Sequence, residues 1–427
     1  MRILSFAILT TIAATARGEE WPSWRGPTGM GLSAEKGLPE VWGGKDNRNV
    51  LWKSPLYTGG DKPRLDQNQS SPIVKGERVF VTFSYWPEGV VPAKESPEHH
   101  VVCFRTTDGQ RLWDTKVPPG PWKLTDLRGG YTASTPAADG QRVYVLFGSS
   151  VAAALDHDGK IVWRKEITPH SFDVAMGTSP VLYKETVLIA WDQTNKTSRL
   201  IALDRKTGDV KWEKKRPTAD WAHSTPTLAE IKGKTQLLVA GANTLEGLDP
   251  DNGETLWSCT SGDAKPARIG DTVSPVLLGG LVYADSGRGG PGVAVDPTGT
   301  GDVTKTHLKW KIAKVPDGSI GSPVVVGEHI FRMQSPELLH CLEIADGKPI
   351  FAERLNGAST VASPIVTADG RIFIAGGAGK SYVIKAGPKL DVLGVNDLGD
   401  PSHASPALAN SRLFLKGGRN LYCVGNK

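Results

Sequence analysis

Eight of the Ser-Pro and Thr-Pro dipeptides of this 427-residue chain recur at near-even spacing, with prolines at 72, 136, 180, 226, 275, 323, 364 and 406. The residues before them are Ser71, Thr135, Ser179, Thr225, Ser274, Ser322, Ser363 and Ser405, at intervals of 64, 44, 46, 49, 48, 41 and 42. A period near 45 confines the chain to an array whose units bury their apolar faces only against one another. After each proline come a short apolar step, a turn and a run rich in Val, Ile, Phe and Tyr. The runs are 79–83, 143–147, 187–191, 237–241, 281–285, 330–334, 372–376 and 413–417. About five residues of this composition make a strand rather than a helix.

A further strand then opens into a turn and returns with a bulky residue. The pattern is Asp204…Gly208…Trp212, Asp249…Gly253…Trp257 and Asp156…Gly159…Trp163, with Asp108-Gly109…Trp113 and Asp346-Gly347…Phe351 as variants. The acidic side chain caps the turn, Gly supplies positive φ, and the aromatic fills a gap between sheets. Leu393 replaces the aromatic in the seventh repeat, and Trp310 arrives late, after an insertion at 297–305. Helical arrays share the period but need long 3.6-periodic segments, which 49 Gly and 30 Pro interrupt. The expectation is therefore an all-β fold, an eight-bladed β-propeller with four antiparallel strands per blade.

The ends predict how the ring closes. In five repeats the strand position of Ala202 and the aromatic position lie ten apart, as in 103/113, 202/212 and 341/351, with Val383 and Leu393 filling them in the seventh repeat. In the last repeat the small residue is Cys423, and its partner would fall beyond Lys427. Residues 50–53, Val-Leu-Trp-Lys, offer the missing strand, so the N-terminal strand is expected to complete the last blade and remove the exposed edges. The same register places Cys103, Cys341 and Cys423 at a small buried position in three different blades. Three pairings of the four cysteines are arithmetically open, but small-residue packing is the reading the repeats favour.

Arg2 followed by an apolar stretch over 3–16 and Ala14-Thr15-Ala16 has the form of a cleaved export signal, too short to span a bilayer comfortably. The expected division is a signal peptide over 1–18, an N-terminal extension over 19–49 and one propeller over 50–427. The chain would then be exported, to a periplasm or the medium, with no transmembrane segment after cleavage. The net charge of +5 is spread along the chain without a basic stripe, which argues against nucleic acid.

With its Ser-Pro opening and Ala-Leu-Asp…Thr-Gly…Trp ending, as in 200–212, the chain resembles the PQQ-like (pyrrolo-quinoline quinone) repeat family of eight-bladed propellers. The leader Trp21-Pro-Ser-Trp-Arg-Gly-Pro27 and the stretch Gly287-Arg-Gly-Gly-Pro-Gly look like those of an exported subgroup. The resemblance implies two alternatives. Quinoprotein dehydrogenases carry PQQ over a Ca²⁺ ion and set two adjacent cysteines against it, and no two cysteines are adjacent here. The BamB-like branch is non-catalytic, which matches a chain with no nucleophile–base motif. The preferred reading is an exported scaffold for a protein or peptide partner, with no cofactor, metal site or catalytic residues. PQQ-dependent oxidation and glycan binding are the alternatives.

Residues just before each Ser/Thr-Pro should ring one end of the channel, where propeller loops converge. They supply Gln69, Arg128, Tyr131, Trp221, His223, Arg268, Asp271 and His403 as candidate contacts. His223 and His403 occupy the same repeat position on opposite blades, which speaks against a shared metal. Insertions that break the repeat add Trp86 and Trp122, which either contact a ligand or pack on their own blades. Arg288 sits in a Gly-rich hairpin that lacks the strand-to-helix context of a phosphate cradle.

Overall fold

The computed structural model describes residues 19–427 except 60–61, 93–94, 169, 218 and 264–266. The expected signal segment lies outside the described residues. Eight antiparallel sheets follow one another along the chain as the blades of a propeller. The first strands of the blades, from Ile73–Lys75 in blade one to Ala407–Ala409 in blade eight, contact their neighbours around the centre. Blades one and four each carry a fifth short strand, Arg64–Leu65 and Gly301–Asp302. Among the described residues one helical element is present, the four-residue turn Thr304–His307 at the end of the blade-five insertion.

Closure follows the expected register. Val50–Pro55 pairs with Asn420–Val424 and completes blade eight, with Trp52 opposite Cys423. The same pairing of a small residue with an aromatic recurs as Cys103 with Trp113, Ala154 with Trp163, Ala202 with Trp212, Gly247 with Trp257, Ala294 with Trp310 and Cys341 with Phe351. All four cysteines are free and buried.

The aromatic does more than fill its own blade. Its indole N–H reaches a carbonyl in the next blade, from Trp52 to Thr106, Trp113 to His157, Trp163 to Arg205 and Trp310 to Ile344. Its ring lies on the turn glycine of that blade. A Cβ on Gly208 would stand 2.7 Å from the Trp163 ring, and Gly109, Gly159, Gly253 and Gly347 meet Trp52, Trp113, Trp212 and Trp310 in the same way. The turn also needs φ near +75° at Gly208, so one residue answers two constraints.

Ser/Thr before each proline has an equally specific cause. The backbone N–H of Ser71 donates to the Thr135 hydroxyl, Thr135 to Ser179, and Ser179 to Thr225. Ser274 donates to Ser322, Ser322 to Ser363, Ser363 to Ser405, and Ser405 back to Ser71 across the seam. The proline frees the chain to turn inward, and the hydroxyl satisfies a neighbour's buried N–H.

The seventh blade corrects the expectation at Leu393. Val383 pairs with Gly394, and a Cβ there would strike the Glu40 carbonyl, because the N-terminal extension runs along this edge. Trp42 of that extension, 2% exposed, stacks on Phe373 at 6.1 Å. Elsewhere the blade's own aromatic holds this place, as Trp113 does against Phe80 at 5.9 Å and Trp163 against Tyr144 at 6.2 Å. The leader thus supplies the aromatic that blade seven lacks.

Candidate functional site

The inner strands set a cavity of about 670 Å³ on the channel axis, at the end where the residues before each Ser/Thr-Pro enter. Every blade contributes the residue three before its proline: Gln69, Ala133, Gly177, His223, Thr272, Ile320, Val361 and His403. Below them lie hydroxyls of the seryl–threonyl belt, among them Ser179, Thr225, Ser274, Ser363 and Ser405.

The N-terminal extension crosses the opposite end. Trp21 exchanges backbone hydrogen bonds with Val74 of blade one, and Pro22 accepts from Ala138 of blade two. Arg25, 2% exposed, donates to the Pro323 carbonyl of blade six, and Gly31 and Ser33 bracket Val366 of blade seven. Between these anchors Trp24 turns into the channel. Its indole N–H reaches the Ser274 hydroxyl at 3.3 Å, and its side chain lines the cavity.

One wall is aromatic and cationic. Phe172 and Trp221 stack at 4.8 Å and 17°, with His223 5.7 Å from each. The Arg268 guanidinium lies 3.6 Å from the centre of the Trp221 ring and donates to the Trp221 carbonyl at 3.0 Å. Arg288 lies over the same ring at 5.6 Å and lines the cavity with Arg128. The charges are balanced by carboxylates. Asp126 holds Arg128, Asp271 stands 3.4 Å from Arg268, and Asp317 is 3.8 Å from Arg288. Burial pushes the Asp271 carboxyl up to about 6 against the pull of Arg268 and Arg288. Its backbone carbonyl accepts the His223 N–H at 2.5 Å.

Burial holds both rim histidines toward the neutral form. Nδ1 of His223 accepts the Gly177 N–H at 3.1 Å, so the single lone pair of the neutral ring is used and Nε2 carries the proton. Burial first, then Arg288, Arg268 and Arg128, pull its pKa down to about 4. The Ser359 hydroxyl oxygen accepts N–H groups from Val361 at 3.1 Å and Ala362 at 3.0 Å and lies 3.2 Å from Nδ1 of His403. Burial lowers the His403 pKa. Among the described residues, no three His, Cys, Asp or Glu lie close enough together to hold a metal ion.

Gln69, Arg128, Trp221, His223, Arg288 and His403 thus line one cavity, with Arg268 and Asp271 directly behind it. Three candidates lie elsewhere. Trp86 and Tyr131 are each 1% exposed and pack together with Leu124 and Ala175, and the Trp122 N–H is bonded to the Phe172 carbonyl. Trp86 and Tyr131 thus pack against each other across neighbouring loops, and half-buried Trp122 is tied to the loop that leads into blade three. The Arg288 loop is a hairpin whose own Ser286 hydroxyl accepts the Arg288 and Gly290 N–H groups, filling the place an anion would need. Trp24 and Phe172 line the cavity but were absent from the sequence reading. Phe172 stands eight residues before Pro180, as Arg128 does before Pro136, so the register could have found it, whereas Trp24 belongs to no repeat.

A family model described as outer membrane protein assembly factor BamB matches residues 97–353. The Bordetella pertussis protein of that description is 23% identical over 420 residues, covering 85% of this chain and 97% of the relative. The quinoprotein ethanol dehydrogenase of Pseudomonas aeruginosa is 28% identical over 204 residues, 43% of this chain, and the match spans only 28% of that enzyme's length. Among solved structures, BamB from Moraxella catarrhalis superposes with a TM-score of 0.58 at 13% identity, covering 88% of this chain and 98% of that one. The quinohemoprotein alcohol dehydrogenase ADHIIG from Pseudomonas putida does so with 0.62 at 11% identity, covering 95% and 80%. At such identities the structural likeness carries the fold alone.

Proposed function

Because the chain belongs to the BamB-like family of PQQ-like repeat propellers, we propose that it is an exported, non-catalytic scaffold that binds a protein or peptide segment in its funnel. The carrying observation is the cavity itself, a polar and aromatic pocket built by all eight blades, in which the Nδ1 lone pair of His223 is taken by the Gly177 N–H. Such a lining is suited to recognising and holding a polar ligand with an aromatic or apolar part. Export rests on the sequence of the first 18 residues, and among the described residues no helix is long and apolar enough to cross a membrane.

The quinoprotein alternative requires a quinone over calcium, and the residues present do not fit that group. The four cysteines are buried inside blades one, four, six and eight, and the carboxylates behind and beside the cavity are turned toward arginines. The glycan alternative drew on loop tryptophans, of which Trp86 is buried.

Panning a random peptide library on the purified chain tests the proposal. Enriched peptides should bind the wild type and lose at least tenfold in Trp221→Ala and Arg128→Ala. No enrichment, or binding indifferent to both variants, would overturn it. Saturable uptake of PQQ with Ca²⁺ and dye-linked alcohol oxidation would establish the alternative instead.

A further inference from the structure

The mouth of the funnel carries more acid than base once its ion pairs are taken out. Three arginines stand there, and each has its own carboxylate: Asp126 holds Arg128, Asp271 lies 3.4 Å from Arg268, and Asp317 lies 3.8 Å from Arg288. Asp173 and Asp220 are left over. Asp173 lines the cavity and is exposed, and among the described residues its carboxylate has neither a hydrogen bond nor an ion pair. Asp220 is exposed beside Trp221, whose backbone N–H it accepts at 3.0 Å. Asp271 registers the crowding of carboxylates: burial raises its pKa most, Arg268 and Arg288 oppose this, and Asp317 and Asp220 raise it further. His223 and His403, held toward the neutral form, add no charge to offset the surplus.

The aromatic wall beside Asp173 offers a flat face. Trp221 has the Phe172 ring stacked at 4.8 Å and the Arg268 guanidinium 3.6 Å from its centre, and two groups so close to one ring must take opposite faces. Trp221 therefore has no face left for a ligand, and the open end of the row is Phe172, half-buried on the cavity wall. Phe172 and Asp173 are fixed through their backbone. The Phe172 carbonyl accepts the Trp122 indole N–H at 3.0 Å and the Nε2–H of His170 at 2.7 Å, and the Asp173 carbonyl accepts the N–H groups of Thr125 and Asp126.

A guanidinium answers both features. It is planar, stacks on an aromatic face and pairs with a carboxylate through its N–H groups. An ammonium brings charge without a plane, and a phenyl ring brings a plane without charge. Resting on the peptide-binding reading above, we propose that the funnel recognises an arginine side chain of its partner segment, the guanidinium lying on the Phe172 ring and pairing with Asp173. The row then runs guanidinium, Phe172, Trp221, Arg268. Arg128 and Arg288, already neutralised, remain donors for backbone carbonyls of the segment.

The test uses the purified chain and five fluorescent hexapeptide pools, acetylated and amidated at their ends. The fourth position is Arg, citrulline, Lys, Phe or Glu, and the others vary among neutral residues. Anisotropy titrations should place the Arg pool roughly tenfold tighter than each of the other four. Phe172→Leu and Asp173→Asn should each bring the Arg pool to within about threefold of the citrulline pool while the thermal melt is retained. If a variant unfolds, the comparison of pools on the wild type still decides. Lys bound as tightly as Arg overturns the stacking on Phe172. Citrulline or Phe bound as tightly overturns the pairing with Asp173, and tightest binding of Glu overturns the charge argument. Each of these results leaves peptide binding standing. Binding of none of the pools defeats this proposal, and the peptide reading falls with it when the library panning fails as well.

Discussion

Substituting Gly208 by Ala tests the physical reason for the repeating Asp…Gly…Trp signature. The turn holds Gly208 at φ +75°, and a Cβ built there stands 2.7 Å from Cδ2 and 2.8 Å from Cε3 of Trp163 in the preceding blade. The ring cannot easily retreat: Trp163 is 7% exposed and its N–H is bonded to the Arg205 carbonyl at 2.9 Å. The left-handed backbone alone costs about 1 kcal/mol for a residue with a Cβ. Overpacking a buried contact adds roughly 1–3 kcal/mol. Gly208→Ala should therefore cost about 2–4 kcal/mol in total. Gly233 is the internal control, since it has φ +74° and nothing within 4 Å of an added Cβ, so its Ala variant carries only the backbone part. Urea midpoints read the difference. Placing Gly208→Ala in a Trp163→Ala background should bring its cost down to that of Gly233→Ala, because the obstructing ring is gone. Equal costs at the two glycines in the wild type, or an undiminished cost without Trp163, would refute the account of blade docking.

The hydroxyl belt predicts that Ser405→Ala, which orphans the Ser363 N–H, costs about 1–3 kcal/mol, while Ser405→Thr is close to neutral because Thr135 and Thr225 already serve in the belt. Urea melts of the pair should separate them, and equal losses would count against the belt. Deleting the chain through Trp52 removes the strand opposite Cys423 and should abolish a cooperative thermal melt; a stable monomer would contradict closure. His99 is buried between the Ser84 and Ser149 hydroxyls and stacked on Phe147, and burial pulls its pKa down to about 3. The unfolded chain then binds more protons than the folded one between pH 6.5 and 3, so stability is full above pH 6.5 and falls on acidification through that window. His99→Gln should flatten that slope in melts at pH 7, 6, 5 and 4, and an unchanged slope would remove His99 as its source.

Residues separated by one repeat were readable because their signal was multiplied eightfold. The pairing of Trp52 with Cys423 could be located without coordinates, since the register of the other blades left one small residue without its partner. Gln69, His223 and His403 were placed on one rim for the same reason. Trp86 and Tyr131 were harder, because an inserted loop has no repeat to say whether its aromatic faces inward, and here two insertions bury them against each other. Trp24 and Trp42 carried no positional signal at all. Their roles depend on contacts with Ser274 and Phe373, hundreds of residues away, made by a segment outside the periodic pattern.

By itself the sequence determined the number of blades, the closure of the ring and the position of its turns and docking aromatics. These follow from local rules: strand composition, glycine at positive φ, and a small residue wherever an aromatic must lie across it. Only the tertiary structure decided that the leader crosses one end of the ring, that it lends blade seven its aromatic, and that the rim histidine His223 is fixed as a donor. Those properties rest on where a non-repeating segment crosses the ring and on which neighbour occupies the imidazole lone pair of His223, and no periodicity in the chain encodes either.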